Sequence, residues 1–199
     1  MKAEPIRSTS QGAGQDATFV ALLHSVVLPG AARLKMADLR AMAADLGYAD
    51  PRTVGSSGNL LIRAPEQPIA TLERTLGTAF AERFGKKVPI IVLTMADLKT
   101  LLAQDPLGRD LEGRYIYIRV MREGYSTDIL KQLAPYVDDQ ILALAGGHLW
   151  IAFKGNAGGS RLLSAFSTKR FAAIGTFRSR AMLEKIAAAG EAGAPINRR

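Results

Sequence analysis

The stretch Lys154-Gly155-Asn156-Ala157-Gly158-Gly159-Ser160-Arg161 has the residue types of an anion-binding turn. Adjacent glycines let a phosphate or carboxylate approach the backbone closely. Ser160 offers a hydroxyl, and Arg161 a planar, two-pronged charged contact. The pattern places a strand before this turn and a helix after it, so the free amides of a helix start would face the same anion. The nucleotide P-loop spacing (Gly, four residues, Gly-Lys-Ser/Thr) is not present. A plainer role for the same residues is structural: the glycines shape the turn and Ser160 caps the helix.

A second basic group lies in Thr176-Phe177-Arg178-Ser179-Arg180, just ahead of the last helix. Arg178 and Arg180 are expected to converge with Arg161 on one ligand, the alternative being a solvated, helix-flanking patch. Ser57 and Asn59, within Ser56-Ser57-Gly58-Asn59, are secondary candidates in a stretch that also reads as a hairpin turn. Tyr115, Tyr117 and Trp150 are expected on one sheet face, where aromatic rings stack on bases or pack on the other half of the chain; packing is the preferred reading.

Catalytic chemistry finds little support. The chain has no cysteine and only two histidines, His24 and His148. Thiolate catalysis, disulfides and zinc-thiolate sites are excluded, and no His-rich metal motif or Ser/His/Asp set can be assembled. His24 lies in an apolar run and reads as a hydrogen-bonded core residue. No paired carboxylates suggest general acid/base work. No catalytic residue, metal or cofactor is assigned.

The elements that must position these residues form a repeat. A strand at 18–28 precedes a helix at 36–46. Two strands follow, meeting at Ser57-Gly58-Asn59, then a helix at 69–84 and a strand at 88–93. A strand at 115–121 precedes a helix at 127–134. Two strands then meet at Ala145-Gly146-Gly147, followed by helices at 159–169 and 180–189. Strand-helix-strand-strand-helix is the split βαβ order, so the expected fold is α+β, a tandem repeat of two ferredoxin-like units. Apolar residues Met36, Leu39, Met42 and Leu46 repeat at helical spacing, as do Ile69, Leu72, Leu76 and Phe80. Thr94 and Asp97 form a capping-box pattern for a short helix. The expected organisation is a disordered tail at 1–16, a first domain at 17–105, a linker at 106–113, a second domain at 114–189 and a disordered tail at 190–199.

The 199 residues carry 26 Lys/Arg against 18 Asp/Glu, a net charge of +8. Residues 154–180 hold six basic residues and no acid, so most of the net charge falls there. Hydrophobic residues make up 48% of the chain, enough for a packed core. The longest apolar run is too short to span a bilayer, and the first residues lack a signal-peptide core. A cytoplasmic protein without a membrane partner is expected.

Several of these stretches resemble the family catalogued as domain of unknown function 1697. They are Ala17-Thr18-Phe19-Val20-Ala21-Leu22-Leu23, Lys35-Met36-Ala37-Asp38-Leu39-Arg40, Leu46-Gly47-Tyr48 and Ser57-Gly58-Asn59-Leu60-Leu61-Ile62. Gly159-Ser160-Arg161-Leu162 resembles its Gly-Arg-Ser-Lys-Leu stretch, and Thr176-Phe177-Arg178 its Thr-Thr-Arg-Asn-Trp stretch. The similarity spans about residues 17–189. The resemblance implies two ferredoxin-like domains in a mainly bacterial family and no established activity. Where the family usually reads Arg-Gly-Ile-Asn-Val-Gly-Gly after its first strand, this chain reads His24-Ser25-Val26-Val27-Leu28-Pro29-Gly30. The family's glutamine is Ser56 here, and its late Asn-Trp pair is Ser179-Arg180. The polar features of the first half are thus mostly lost, and the basic elements of the second half are kept.

The leading expectation is a non-enzymatic protein that binds nucleic acid or a phosphorylated small ligand through Lys154, Gly158, Gly159, Ser160, Arg161, Arg178 and Arg180. The alternatives are an enzyme acting on a phosphorylated or carboxylated metabolite between the domains, and a protein-interaction scaffold.

Overall fold

The computed structural model describes residues 16–108, 111, 114–155, 157–171 and 173–192. Each half of the chain builds a four-stranded antiparallel sheet. The first contains β1 (Asp16–Leu23), β2 (Ala49–Thr53), β3 (Asn59–Pro65) and β4 (Ile90–Thr94), in spatial order β2-β3-β1-β4. The second contains β5 (Arg114–Met121), β6 (Ile141–Ala145), β7 (His148–Lys154) and β8 (Gly175–Ser179), in the matching order β6-β7-β5-β8. The helices of the first half are α1 (Met36–Asp45), α2 (Ile69–Phe84) and α3 (Met95–Ala103). Those of the second are α4 (Asp128–Leu133), α5 (Arg161–Ala165) and α6 (Arg180–Ala192). The protein is a mixed α+β structure of two similar units, element matching element.

Strand alternation sorts the side chains into layers. Phe19, Ala21, Leu60, Ile62, Ile90 and Val92 face outward and pack under α1 and α2 through Leu39, Met42, Leu72, Leu76 and Phe80. Their neighbours Val20, Leu22, Leu61, Ile91 and Leu93 face inward. There they meet Ile118, Val120 and Trp150 of the second sheet, together with Leu98 and Leu101 of α3 and Leu183 and Ile186 of α6. The outer face of the second sheet, with Leu149, Ile151 and Phe153, packs under Ile129, Leu133 and Leu162 of α4 and α5. The two units therefore share one inner core rather than closing separately. This changes the meaning of the linker expected at 106–113: it joins two halves whose sheets are pressed together. Its residues 109–110 and 112–113 lie outside the described set.

Local signals account for most boundaries. Thr94 and Asp97 form the expected capping box at α3, with the Asp97 amide donating to Thr94 Oγ1 at 3.0 Å. Gly85 closes α2 in the left-handed conformation. Gly146 and Gly147 both have positive φ, 56° and 78°, as a tight hairpin between β6 and β7 requires.

Five expectations are corrected. The strand expected at 18–28 stops at Leu23; His24 is exposed, and Val27 pairs instead with Arg33 across a loop. The helix expected at 159–169 is only Arg161–Ala165, followed by a 3-10 turn at Lys169–Phe171 that brings Phe171 under the sheet. Residues 175–179, expected to supply a ligand contact or a solvated, helix-flanking patch, form the edge strand β8 beside β5. Register sets Trp150 opposite Ile118 and Tyr117 opposite Ile151, so the aromatics do not share a face; Trp150 is fully buried between the units. The expected tails are shorter where they can be described, since Asp16 opens β1 and Gly190–Ala192 complete α6. Residues 1–15 and 193–199 lie outside the described set.

Candidate anion-binding surface

The turn after β7 is open but sparsely equipped. Lys154 is exposed at the end of the strand. Gly155 and Gly159 have positive φ, and a Cβ at either would meet only open space, so these glycines answer a backbone need. Gly158 lies beside Gly159 in the turn, and Asn156 is outside the described residues. Ser160 occupies the N-cap position of α5, yet its side chain makes no capping bond. The helix it opens has five residues, too few for its aligned peptide dipoles to sum to much.

The three arginines expected to converge do not share a partner. Arg161 is solvated, with Nη1 3.3 Å from Asp138 Oδ1 and Nη2 donating to Pro135 O at 3.2 Å. Arg180 is held by Asp105 at 2.8 Å and Glu184 at 3.2 Å. Arg178 points into the inner core and is 6% exposed. Its Nη2 donates to Leu23 O at 2.8 Å and Ser57 O at 2.9 Å, its Nη1 to Thr176 Oγ1 at 2.8 Å, and its Nε to Asn59 Oδ1. Burial lowers its pKa to about 10, so it stays cationic at neutral pH. Asn59 is fully buried and also donates to Val54 O, and Ser57 contributes only its carbonyl. Arg178 and Asn59 thus join the units and cannot face a ligand in solution. Arg119, on the opposite face of the second sheet, is likewise buried. It donates to Ala173 O and its guanidinium lies 4.5 Å from the Phe166 ring centroid.

Cationic surface is concentrated elsewhere, at the end of the sheets where β1 finishes and β4 and β8 begin. Residues 24–35, 85–89 and 169–175 hold six Lys/Arg and no acid. Hydrogen bonds tie these loops together across both units. The His24 amide donates to Pro89 O at 3.0 Å, Lys86 Nζ to Val27 O at 2.5 Å, and His24 Nδ1 lies 2.9 Å from Gly175 O. Arg33, Lys35, Lys87 and Arg170 are exposed, and none of them has an ion pair among the described residues. The loop that follows β5 reaches the same end through the Arg122 amide, which donates to Ile174 O at 3.0 Å; it adds Arg122, paired with Glu73 at 2.7 Å, and the exposed Glu123. The sequence signal for this surface was present as basic residues in acid-free loops, but only the fold brings the loops together.

His148 is the one histidine in a cleft. Its Nδ1 accepts the Met121 amide at 3.2 Å, which sets the proton on Nε2 in the neutral ring. Burial pulls its pKa below the usual histidine range, with Asp97 opposing. No group of three metal-ligating side chains occurs among the described residues.

The model of the family described as protein of unknown function (DUF1697) matches residues 17–150. The chain belongs to that family. The match includes the whole first unit and stops within β7, so Gly159–Leu162 and Thr176–Arg178 lie beyond it. Among solved structures the chain is similar to the conserved bacterial protein SP0830 from Streptococcus pneumoniae. Sequence identity is 18% with a TM-score of 0.69, and the similarity covers 88% of this chain and 99% of that one. At that identity the likeness bears on the fold alone. No curated protein matches. Among the described residues no helix is long and apolar enough to cross a membrane.

Proposed function

We propose that this DUF1697 protein is a non-enzymatic nucleic-acid-binding protein whose docking surface is the basic end of the paired sheets. This keeps the partner class expected from the charge and moves the site. One observation carries the reading: three acid-free loops from both units are bonded to one another and present Arg33, Lys35, Lys87 and Arg170 to solvent. Cations gathered on loops that carry no carboxylate attract a phosphate backbone and release its counterions on contact. Loops anchored to a rigid scaffold are where such contacts usually lie. Lys154 and Arg161 remain outside this surface, Arg161 because Asp138 already balances it. We also read each unit as ferredoxin-like, a reading favoured by the strand orders β2-β3-β1-β4 and β6-β7-β5-β8.

The test is fluorescence anisotropy of labelled single-stranded DNA and RNA over a salt series. The wild type is compared with a variant carrying Arg33→Ala, Lys35→Ala, Lys87→Ala and Arg170→Ala, and with a Lys154→Ala/Arg161→Ala control. Binding should weaken steeply with salt. The fourfold variant should bind much less and reduce the log-log salt slope by about 3, from roughly 0.7 per lost phosphate contact. Loss of binding only in the control, or no binding at low salt, would overturn the reading.

A further inference from the structure

We propose that the cavity at the opposite end of β1 binds a small amphiphilic amine, an apolar body carrying one ammonium group. The cavity has a volume of about 680 Å³, within the range of roughly 300–1,000 Å³ usual for small-molecule sites. It lies where β1 begins, where α2 and α3 start, and where α6 ends. Phe19, Ile69 and Met95 supply apolar walls. Removing that surface from water favours an apolar occupant in proportion to the area covered.

The mouth sets the sign of the charge. Glu66, Lys99 and Glu191 line it. Lys99 Nζ and Glu191 Oε1 neutralise one another at 2.7 Å. Glu66 is exposed and has no ion pair among the described residues, so the mouth keeps a negative charge in a chain of net charge +8. A carboxylate that is otherwise unanswered favours an ammonium through a charge-assisted hydrogen bond and repels a carboxylate or phosphate. The back wall is held in place by close helix contact. A Cβ at Gly190 of α6 would come 2.5 Å from the Met95 sulfur, so the Met95 side chain packs directly on the α6 backbone there. The chemistry is opposite to that of the basic end, and the inference stands or falls separately from it.

The experiment is a ¹H–¹⁵N NMR titration of the full chain with three matched probes: 2-phenylethylamine, 2-phenylethanol and 3-phenylpropanoate. Saturable shifts should appear at Thr18, Thr94 and Met95. The amine should bind roughly tenfold more tightly than the alcohol, and the carboxylate most weakly. Glu66→Gln should erase the advantage of the amine and leave the alcohol unchanged. Ala96→Trp, which places an indole at the mouth, should weaken all three. The proposal is overturned if the carboxylate binds as well as the amine, if Glu66→Gln leaves the amine preference intact, if the shifts fall elsewhere, or if none of the probes saturates at millimolar concentration.

Discussion

Arg178 Nε donates to Asn59 Oδ1 at 2.5 Å, joining the last strand of the second unit to the second hairpin strand of the first. The two residues are 119 positions apart in sequence. Both are buried, and the guanidinium also serves Leu23 O and Ser57 O from the first unit. No carboxylate answers the charge among these contacts. Backbone oxygens, the Thr176 hydroxyl and one amide solvate it in place of water, as the planar five-donor geometry of arginine allows. Removing it leaves several buried acceptors without donors. Arg178→Ala should therefore destabilise the protein by about 3 kcal/mol in urea denaturation. Arg178→Lys keeps the charge and loses the fork, and should fall between the two. Equal stability of wild type and Arg178→Ala would show that the inter-unit bonds contribute nothing net.

This same residue marks where sequence reading runs out. The charge of Arg178 is visible in the sequence, but its burial depends on residues 175–179 pairing with β5 as an edge strand. Only five residues form that strand, and Thr176, Arg178 and the preceding acid-free loop look solvent-facing in isolation. The long amphipathic helix α2, the capping box at Thr94 and the Gly146-Gly147 hairpin were legible because each is set by local chemistry. The shared inner core was not. Val20, Leu22 and Leu61 are apolar in any arrangement, and nothing local says whether a helix or another sheet covers them. The basic end was hidden for the same reason, since its loops are contiguous only through tertiary hydrogen bonds.

Gly58 tests the turn that feeds Arg178. Its φ is +72°, and a Cβ there would lie 2.8 Å from both Leu23 Cβ and Val26 Cγ1. The Gly58 carbonyl accepts from the Leu23 amide at 2.9 Å. Gly58→Ala adds left-handed strain and a clash against buried side chains. We expect a loss of about 2–3 kcal/mol, read as a lower melting temperature. Gly30→Ala is the comparison. Its φ is also positive, but no atom lies within 4 Å of the added Cβ, so its cost should be that of strain alone. Similar losses in the two variants would mean the contacts at Gly58 relax freely.

Trp150 reports on the core between the units. It is the only tryptophan, and it is fully buried among inward residues of both sheets. Because the units bury their inner faces against each other, unfolding should be one transition. Tryptophan fluorescence and far-ultraviolet circular dichroism should give coincident denaturation curves. Trp150→Ala should cost about 3–5 kcal/mol through lost burial and the cavity left behind. A 17–105 fragment would expose Val20, Leu22, Leu61, Ile91 and Leu93 together, and should aggregate or bind a hydrophobic dye. Two separated transitions in the whole chain, or a soluble monomeric fragment with native-like spectra, would contradict a shared core.

His148 gives the fold a pH dependence of known sign. Burial lowers its pKa from 6.5 in the folded chain, with Asp97 acting in the opposite direction, and Nδ1 is engaged with the Met121 amide. Between the folded value and 6.5 the unfolded chain binds a proton that the folded chain refuses. The unfolded state is then favoured by added acid, so stability rises with pH across that window and is lost as pH falls through the folded value. One such proton contributes at most about 1.4 kcal/mol per pH unit. Carboxylates titrate nearby, so the informative quantity is a difference between variants. His148→Gln should lose stability at pH 7 by weakening the Met121 contact, yet show a shallower decline from pH 7 to pH 5 than wild type. If His148→Gln and wild type decline in parallel, the buried imidazole is not the source of the acid sensitivity.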